Sequence, residues 1–273
     1  MCVVFAALGG AVALAHGQAL ATQAQASGGC TLEPTSGTKT RLLGARSYEL
    51  HVPPGLSGQR VPLLLTMHGL SSWGREHEWD TRWSQFADGH GFIVAYPNGL
   101  ANSWNFRQDS YDVSFLRAVA GDIASTWCVD PDRVYASGHS NGAFMAQRLA
   151  CDAPDVFAAV TEYAGGSPQS FGTPCQPSRG VSVGLFHGDA DVVVSPAFAE
   201  RARDQWVARD GCAPASTSDS VPEGVLLRWH GCRDDAEVIW RSYPGQSHLW
   251  PTGVRGDDIR SRMWAFLTAH PRP

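Results

Sequence analysis

The pentapeptide Gly138-His139-Ser140-Asn141-Gly142 constrains this chain more than any other stretch. Arg133-Val134-Tyr135-Ala136-Ser137 before it has the make-up of a buried strand, and Ala143 to Ala150 after it reads as a helix. A strand that turns sharply into a helix through G-x-S-x-G lifts the serine clear of a sheet as an exposed nucleophile. Glycine is needed at both ends because the turn brings backbones together and leaves no room for a Cβ. The competing account of Ser140 is a helix cap, with its hydroxyl accepting from the next turn.

The rest of the sequence repeats the same alternation. Val61 to Met67, Phe92 to Tyr96, Val181 to Phe186 and Ala236 to Tyr243 are further strand candidates, and Ser47 to Val52 suits an antiparallel edge. Runs that are apolar on both faces belong to parallel sheets covered by helices. Helical spacing is expected over Glu76–Gly89, with Trp79 and Trp83 in the core. It is expected again over Val113–Trp127 with Asp112 as N-cap, from Ser195-Pro196 to about Arg209, and from Asp257 or Asp258 through Trp264 and Leu267. Alternating strand and helix imply an α/β, doubly wound, mostly parallel sheet with helices on both faces. In such sheets ligands bind beyond the carboxyl ends of the strands.

The polar motifs fall at those ends. A serine hydroxyl needs a base within hydrogen-bond reach, and the base needs an orienting carboxylate. With a G-x-S-x-G turn the chain order is serine, acid, histidine. After the Val181–Phe186 strand come His187-Gly188-Asp189-Ala190-Asp191; Asp191 is the acid candidate, and Asp189 is assigned to the turn. After the Ala236–Tyr243 strand, His248 lies on a loop between Gly245 and Pro251 and is the base candidate. His139 is too close to Ser140 in sequence to serve, and His68 and His187 end buried strands. The developing oxyanion needs two fixed donors. The backbone N–H of Asn141 is one, and the loop His68-Gly69-Leu70 offers that of Leu70.

Composition narrows the class. Net charge is −5 and charged residues are sparse at 17%, without a basic stripe, so nucleic acid is excluded as a partner. No spacing suits a metal, and no cofactor is implied. Val3 to Ala15 is apolar but too short to span a bilayer, and Ala24-Gln25-Ala26 suits a cleavage site, although no Lys or Arg precedes the run. We read residues 1–26 as a signal peptide and 27–273 as one catalytic domain that is secreted to the extracellular space or the periplasm. The oligomeric state is not legible.

Of the seven cysteines, Cys2 leaves with the leader, and Cys30, Cys128, Cys151, Cys175, Cys212 and Cys232 remain. Six cysteines allow 15 pairings. Cys212 with Cys232 is the easiest local pair and Cys151 with Cys175 the second choice, which leaves Cys30 with Cys128.

Leu65-Thr66-Met67-His68-Gly69, Tyr96-Pro97-Asn98-Gly99, Ser103-Trp104-Asn105, Cys128-Val129-Asp130-Pro131-Asp132-Arg133-Val134-Tyr135, Gly138 to Gly142, His187 to Asp191 and His248-Leu249-Trp250-Pro251 follow one another over most of the chain. As a set they resemble the secreted esterases grouped with polyhydroxybutyrate depolymerases and feruloyl esterases, within the α/β-hydrolase fold. The resemblance implies Ser140, Asp191 and His248 as a catalytic triad, with Trp104 and Trp250 lining the pocket. Trp73, on a loop at the same face, is a further candidate contact. Phe106-Arg107-Gln108 stand where the family often has glycines and cysteines. Aromatic loops favour a hydroxycinnamoyl ester of a plant cell-wall polysaccharide; polyhydroxybutyrate and acetylated xylan are the alternatives. An amidase or peptidase using the same triad, or a non-catalytic binding protein, are the readings from other classes.

Overall fold

The structure is a computed structural model that describes residues 1–2, 36–56, 58–214, 217–219, 221 and 224–273. Most of the expected leader (3–26) and Cys30 lie outside the described residues, and so does the proposed Cys30–Cys128 pairing.

Among the described residues, ten strands form one sheet. They are β1 Gly37–Leu43, β2 Arg46–Val52, β3 Val61–Met67, β4 Ile93–Pro97, β5 Val129–Gly138, β6 Ala159–Tyr163, β7 Ser182–Gly188, β8 Thr217–Asp219, β9 Val225–Trp229 and β10 Val238–Tyr243. The spatial order is β1-β2-β4-β3-β5-β6-β7-β10-β9-β8. Strands β4, β3, β5, β6, β7 and β10 run parallel, and antiparallel strands close both edges. The helices are α1 Gly74–Thr81, α2 Trp83–His90, α3 Tyr111–Thr126, α4 Asn141–Asp152, α5 Pro196–Arg209 and α6 Gly253–Ala269.

Successive residues of a strand point to opposite faces, and the core divides accordingly. Leu63, Leu65, Met67, Ile93 and Ala95 pack with Val119 of α3, Leu149 of α4 and Trp206 of α5. Leu64, Val94 and Tyr96 face the other way, onto Trp83 of α2 and Ile259 and Met263 of α6. Two buried faces explain why the central strands read as unbroken apolar runs.

Several local expectations are corrected. The stretch expected as one helix over Glu76–Gly89 is two, broken at Arg82, which adopts the left-handed conformation at φ 53°. The break turns the first helix so that Gly74, His77 and Thr81 face inward, and Trp79, expected in the core, is 78% exposed. Ser110, not Asp112, caps α3, with its side chain accepting from the Val113 N–H. Asp112 is instead taken by Arg46 Nη1 at 2.5 Å and by the Asn105 N–H at 2.7 Å. Helix α6 begins at Gly253, a turn before the aspartates expected to open it, and Asp258, inside the helix, accepts from Tyr243 Oη at 2.8 Å. Strand β6 was not anticipated: Thr161 and Glu162 interrupt its apolar pattern, yet both are fully buried.

Candidate active site

The elbow between β5 and α4 sits at the centre of the parallel strands. Ser140 has φ 55° and ψ −118°, a conformation costly for a residue with a side chain. Close packing holds it there. A Cβ on Gly138 would stand 2.1 Å from Gly142 O, and one on Gly142 would stand 2.2 Å from Met67 O. The backbone N–H of Ser140 donates to Tyr163 O at 3.0 Å and that of His139 to Met67 O at 3.1 Å, so the neighbouring strands grip the turn from both sides. The Ser140 side chain makes no capping hydrogen bond to α4. It instead meets His248, whose Nε2 lies 2.8 Å from Ser140 Oγ.

Nδ1 of the same ring is 2.8 Å from Asp191 Oδ2. The structure thus brings together the three side chains singled out by chain order, each from the end of a different strand. Asp191 Oδ1 accepts from the N–H groups of Val193 and Val194, both at 2.9 Å. Burial pushes the Asp191 carboxyl up, but the bonds from His248, Val194 and Val193 outweigh it and hold its pKa below the ordinary carboxylate value. A carboxylate that stays charged keeps the imidazole N–H on Nδ1, so Nε2 faces the hydroxyl as an acceptor. Asp189, assigned from sequence to its own turn, instead accepts the Gly245 N–H at 2.6 Å and ties the histidine loop to the end of β7.

Asn141 opens α4, and its N–H is among those a helix leaves without an internal partner. The His68-Gly69-Leu70 loop lies beside it: a Cβ on Gly69 would be 3.5 Å from Ser140 Cβ. Among the described residues neither the Leu70 nor the Asn141 N–H is spent on another protein group. His68 fixes this loop. Its Nδ1–H donates to Gly69 O at 2.7 Å, and its Nε2 accepts the Gly99 N–H at 3.0 Å. Burial lowers the His68 pKa, in keeping with a ring that must be neutral to accept.

Trp104 and Trp250, expected on the pocket wall, are only 3% and 8% exposed and pack inside the protein. Trp104 Nε1 donates to His68 O at 3.0 Å, and its backbone N–H donates to Asn141 Oδ1 at 2.7 Å, which joins the 103–105 loop to the elbow. Trp250 meets Tyr163 edge-on at 5.4 Å. Trp73 is half exposed. Sequence reasoning missed a second aromatic group. Phe144, one turn along α4 from Ser140, packs on Phe106 at 5.2 Å and Phe171 at 5.4 Å, and Phe198 stacks on Phe171 at 6.2 Å. Phe171 is 55% exposed. These phenylalanines come from four separate segments, so no spacing in the sequence groups them.

Cys151–Cys175 and Cys212–Cys232 form disulfides, matching the two local pairings expected from sequence. Cys128 is buried. Among the described residues no cluster of His, Cys, Asp or Glu could hold a metal ion, and no helix is long and apolar enough to cross a membrane.

This sheet order, elbow and set of strand-end side chains define the α/β-hydrolase fold. An acetyl xylan esterase from Aspergillus awamori superposes with a TM-score of 0.71 over 85% of this chain and all (100%) of its own, at 17% identity, which establishes the shared fold. Residues 46–174 match the family model described as esterase PHB depolymerase, so this segment is similar to that family. A protein of Nocardia uniformis subsp. tsuyamanensis named as an esterase (NocK) is 38% identical over 156 residues, 54% of this chain and 45% of its own length. Feruloyl esterase B of Piromyces equi is 26% identical over 239 residues, 78% of this chain and 44% of its own. The chain therefore spans less than half the length of these two relatives.

Proposed function

We propose that the protein is an exported serine esterase that hydrolyses carboxylic esters through Ser140, His248 and Asp191. The continuous Ser140–His248–Asp191 contact, 2.8 Å at each step, carries the reading. In this mechanism Ser140 Oγ attacks the ester carbonyl while His248 Nε2 takes its proton, and the imidazolium that forms is stabilised by Asp191. The carbonyl oxygen, now charged, is held by the N–H groups of Asn141 and Leu70, where the N-terminal end of α4 also favours negative charge. His248 returns the proton to the departing alcohol. Water, activated by the same imidazole, then attacks the acyl-enzyme, and Ser140 is regenerated as the acid leaves. No step calls for a metal or cofactor.

The substrate we propose is a hydroxycinnamoyl ester of plant cell-wall polysaccharide. Phe171, 55% exposed and backed by Phe106, Phe198 and the buried Phe144 one helical turn from the nucleophile, offers an aromatic face suited to stacking a planar acyl group. Relatives named for feruloyl esters support this choice, and others are named for poly(3-hydroxyalkanoate). Two disulfides fit export, with a leader over 1–26 removed and 27–273 forming the catalytic domain.

The deciding experiment compares release of ferulate, acetate and 3-hydroxybutyrate from the matching polymers by the wild type and Ser140→Ala. Ferulate release that Ser140→Ala abolishes is expected. Equal release by both proteins would remove the serine mechanism, and turnover of the polyester alone would replace the substrate.

A further inference from the structure

We propose that His139 is a positioning residue for the reaction proposed above: its Nε2–H donates to the backbone carbonyl of His248 and clamps the loop that carries the base to the turn that carries the nucleophile. The contact is 2.8 Å long and spans 109 positions of sequence. A carbonyl oxygen can only accept, so the proton must be on Nε2.

Two successive carbonyls of the loop, those of Ser247 and His248, are held in this way. Tyr163 Oη donates to Ser247 O at 2.9 Å and lies 3.4 Å from Leu249 O, while His139 takes the carbonyl between them. The two clamping residues are themselves fixed together. Their rings stack at 5.7 Å, and His139 and Tyr163 pair as an isolated β-bridge at the end of β6. Trp250 stands edge-on to both, 6.3 Å from His139 and 5.4 Å from Tyr163.

The need for such a clamp follows from the position of His248. The flanking Ser247 and Leu249 are exposed, and Gly245, at φ 66°, begins the loop. Side-chain hydrogen bonds to Ser140 and Asp191 fix where the ring tips lie, but not the path of the backbone. A shift of about 1 Å in a reacting group can cost about a hundredfold in rate. His139 suits the task because burial pushes its pKa down to about 4, against the opposing pull of the His248 carbonyl, so it stays neutral and keeps one N–H.

The test uses His139→Phe, which keeps an aromatic ring and removes the donor, and His139→Gln, whose amide N–H₂ can reach the same carbonyl. With 4-nitrophenyl acetate, His139→Phe should lose about 10–100-fold in kcat with KM within twofold. Amide hydrogen exchange over residues 245–250 should quicken by about 3–10-fold, the loss of one net hydrogen bond. His139→Gln should recover most of both. Unchanged kcat and exchange in the Phe variant would overturn the proposal, and so would a Gln variant as impaired as Phe. Should the wild type fail to hydrolyse any ester, the esterase reading falls, and the exchange measurement alone decides the clamp. If His139→Phe does not fold, long-range ¹H–¹⁵N spectra of the wild type decide it: a neutral ring protonated on Nε2 supports the clamp, and a proton on Nδ1 removes it.

Discussion

The two oxygens of Asp191 are divided, Oδ1 receiving two backbone N–H groups and Oδ2 the His248 imidazole, with His187 Nε2 also 3.2 Å from Oδ2. Asp191→Asn would keep this shape but offer an amide where the ring needs an acceptor, favouring the wrong tautomer. Under the proposed mechanism kcat should fall by about ten-thousandfold, with little change in fold by circular dichroism. Glu162 supplies a different residue-scale expectation. It is fully buried next to Gln147, and burial raises its pKa to about 8, against the weaker pull of the Gly165 backbone and the Gln147 amide. In the unfolded chain the same carboxyl ionises near 4.5. Between those values the folded protein holds a proton that the unfolded chain has released, so stability falls as pH rises. The slope is on the order of 1.4 kcal/mol per pH unit. Glu162→Gln should therefore flatten the Tm profile between pH 5 and 8; a wild-type profile that the substitution leaves unchanged would contradict this. Nothing in the sequence marks Glu162, because its surroundings come from β6, the loop after it and α4.

At the scale of elements, the elbow couples β5 to α4 through glycines with no space above their Cα atoms. Gly138→Ala would force a methyl group against Gly142 O, and a rigid backbone cannot give way. Stability should fall by about 1–3 kcal/mol, read from urea midpoints, with a larger loss of the proposed esterase activity because Ser140 moves with the turn. This element was legible in the sequence because strand, turn and helix are local. The Glu76–Gly89 helix was misread for the opposite reason. Its apolar spacing fits one continuous helix, but Arg260 Nη1 donates to Thr81 O at 2.8 Å and α2 packs beneath the sheet, so the chain bends at Arg82. Strand β6 is not legible because Thr161 and Glu162 look solvent-facing until β5 supplies Ser137 Oγ to accept from Thr161 at 3.2 Å and α4 supplies Gln147 beside Glu162.

For the whole molecule, two disulfides close loops with separations of 24 and 20 residues. In the chain-entropy account each is worth about 3 kcal/mol through the unfolded state. The double variant Cys151→Ser/Cys175→Ser should lower Tm by several degrees, and reductant should add little further loss beyond that from Cys212–Cys232; a variant with the wild-type Tm would refute the assignment. The sequence alone determined the layered α/β architecture, since buried parallel strands and covering helices leave distinct periodicities. It also determined which residues stand at strand ends, because a motif that follows an apolar run is placed by that run. Only the tertiary structure decided the distances: that His248 lies 2.8 Å from both Ser140 and Asp191, that Trp104 and Trp250 turn inward, and that four phenylalanines from separate segments pack into one cluster. Periodicity reports a residue's environment along its own element. Contacts between elements depend on how the sheet twists and where loops return, and no local pattern encodes that.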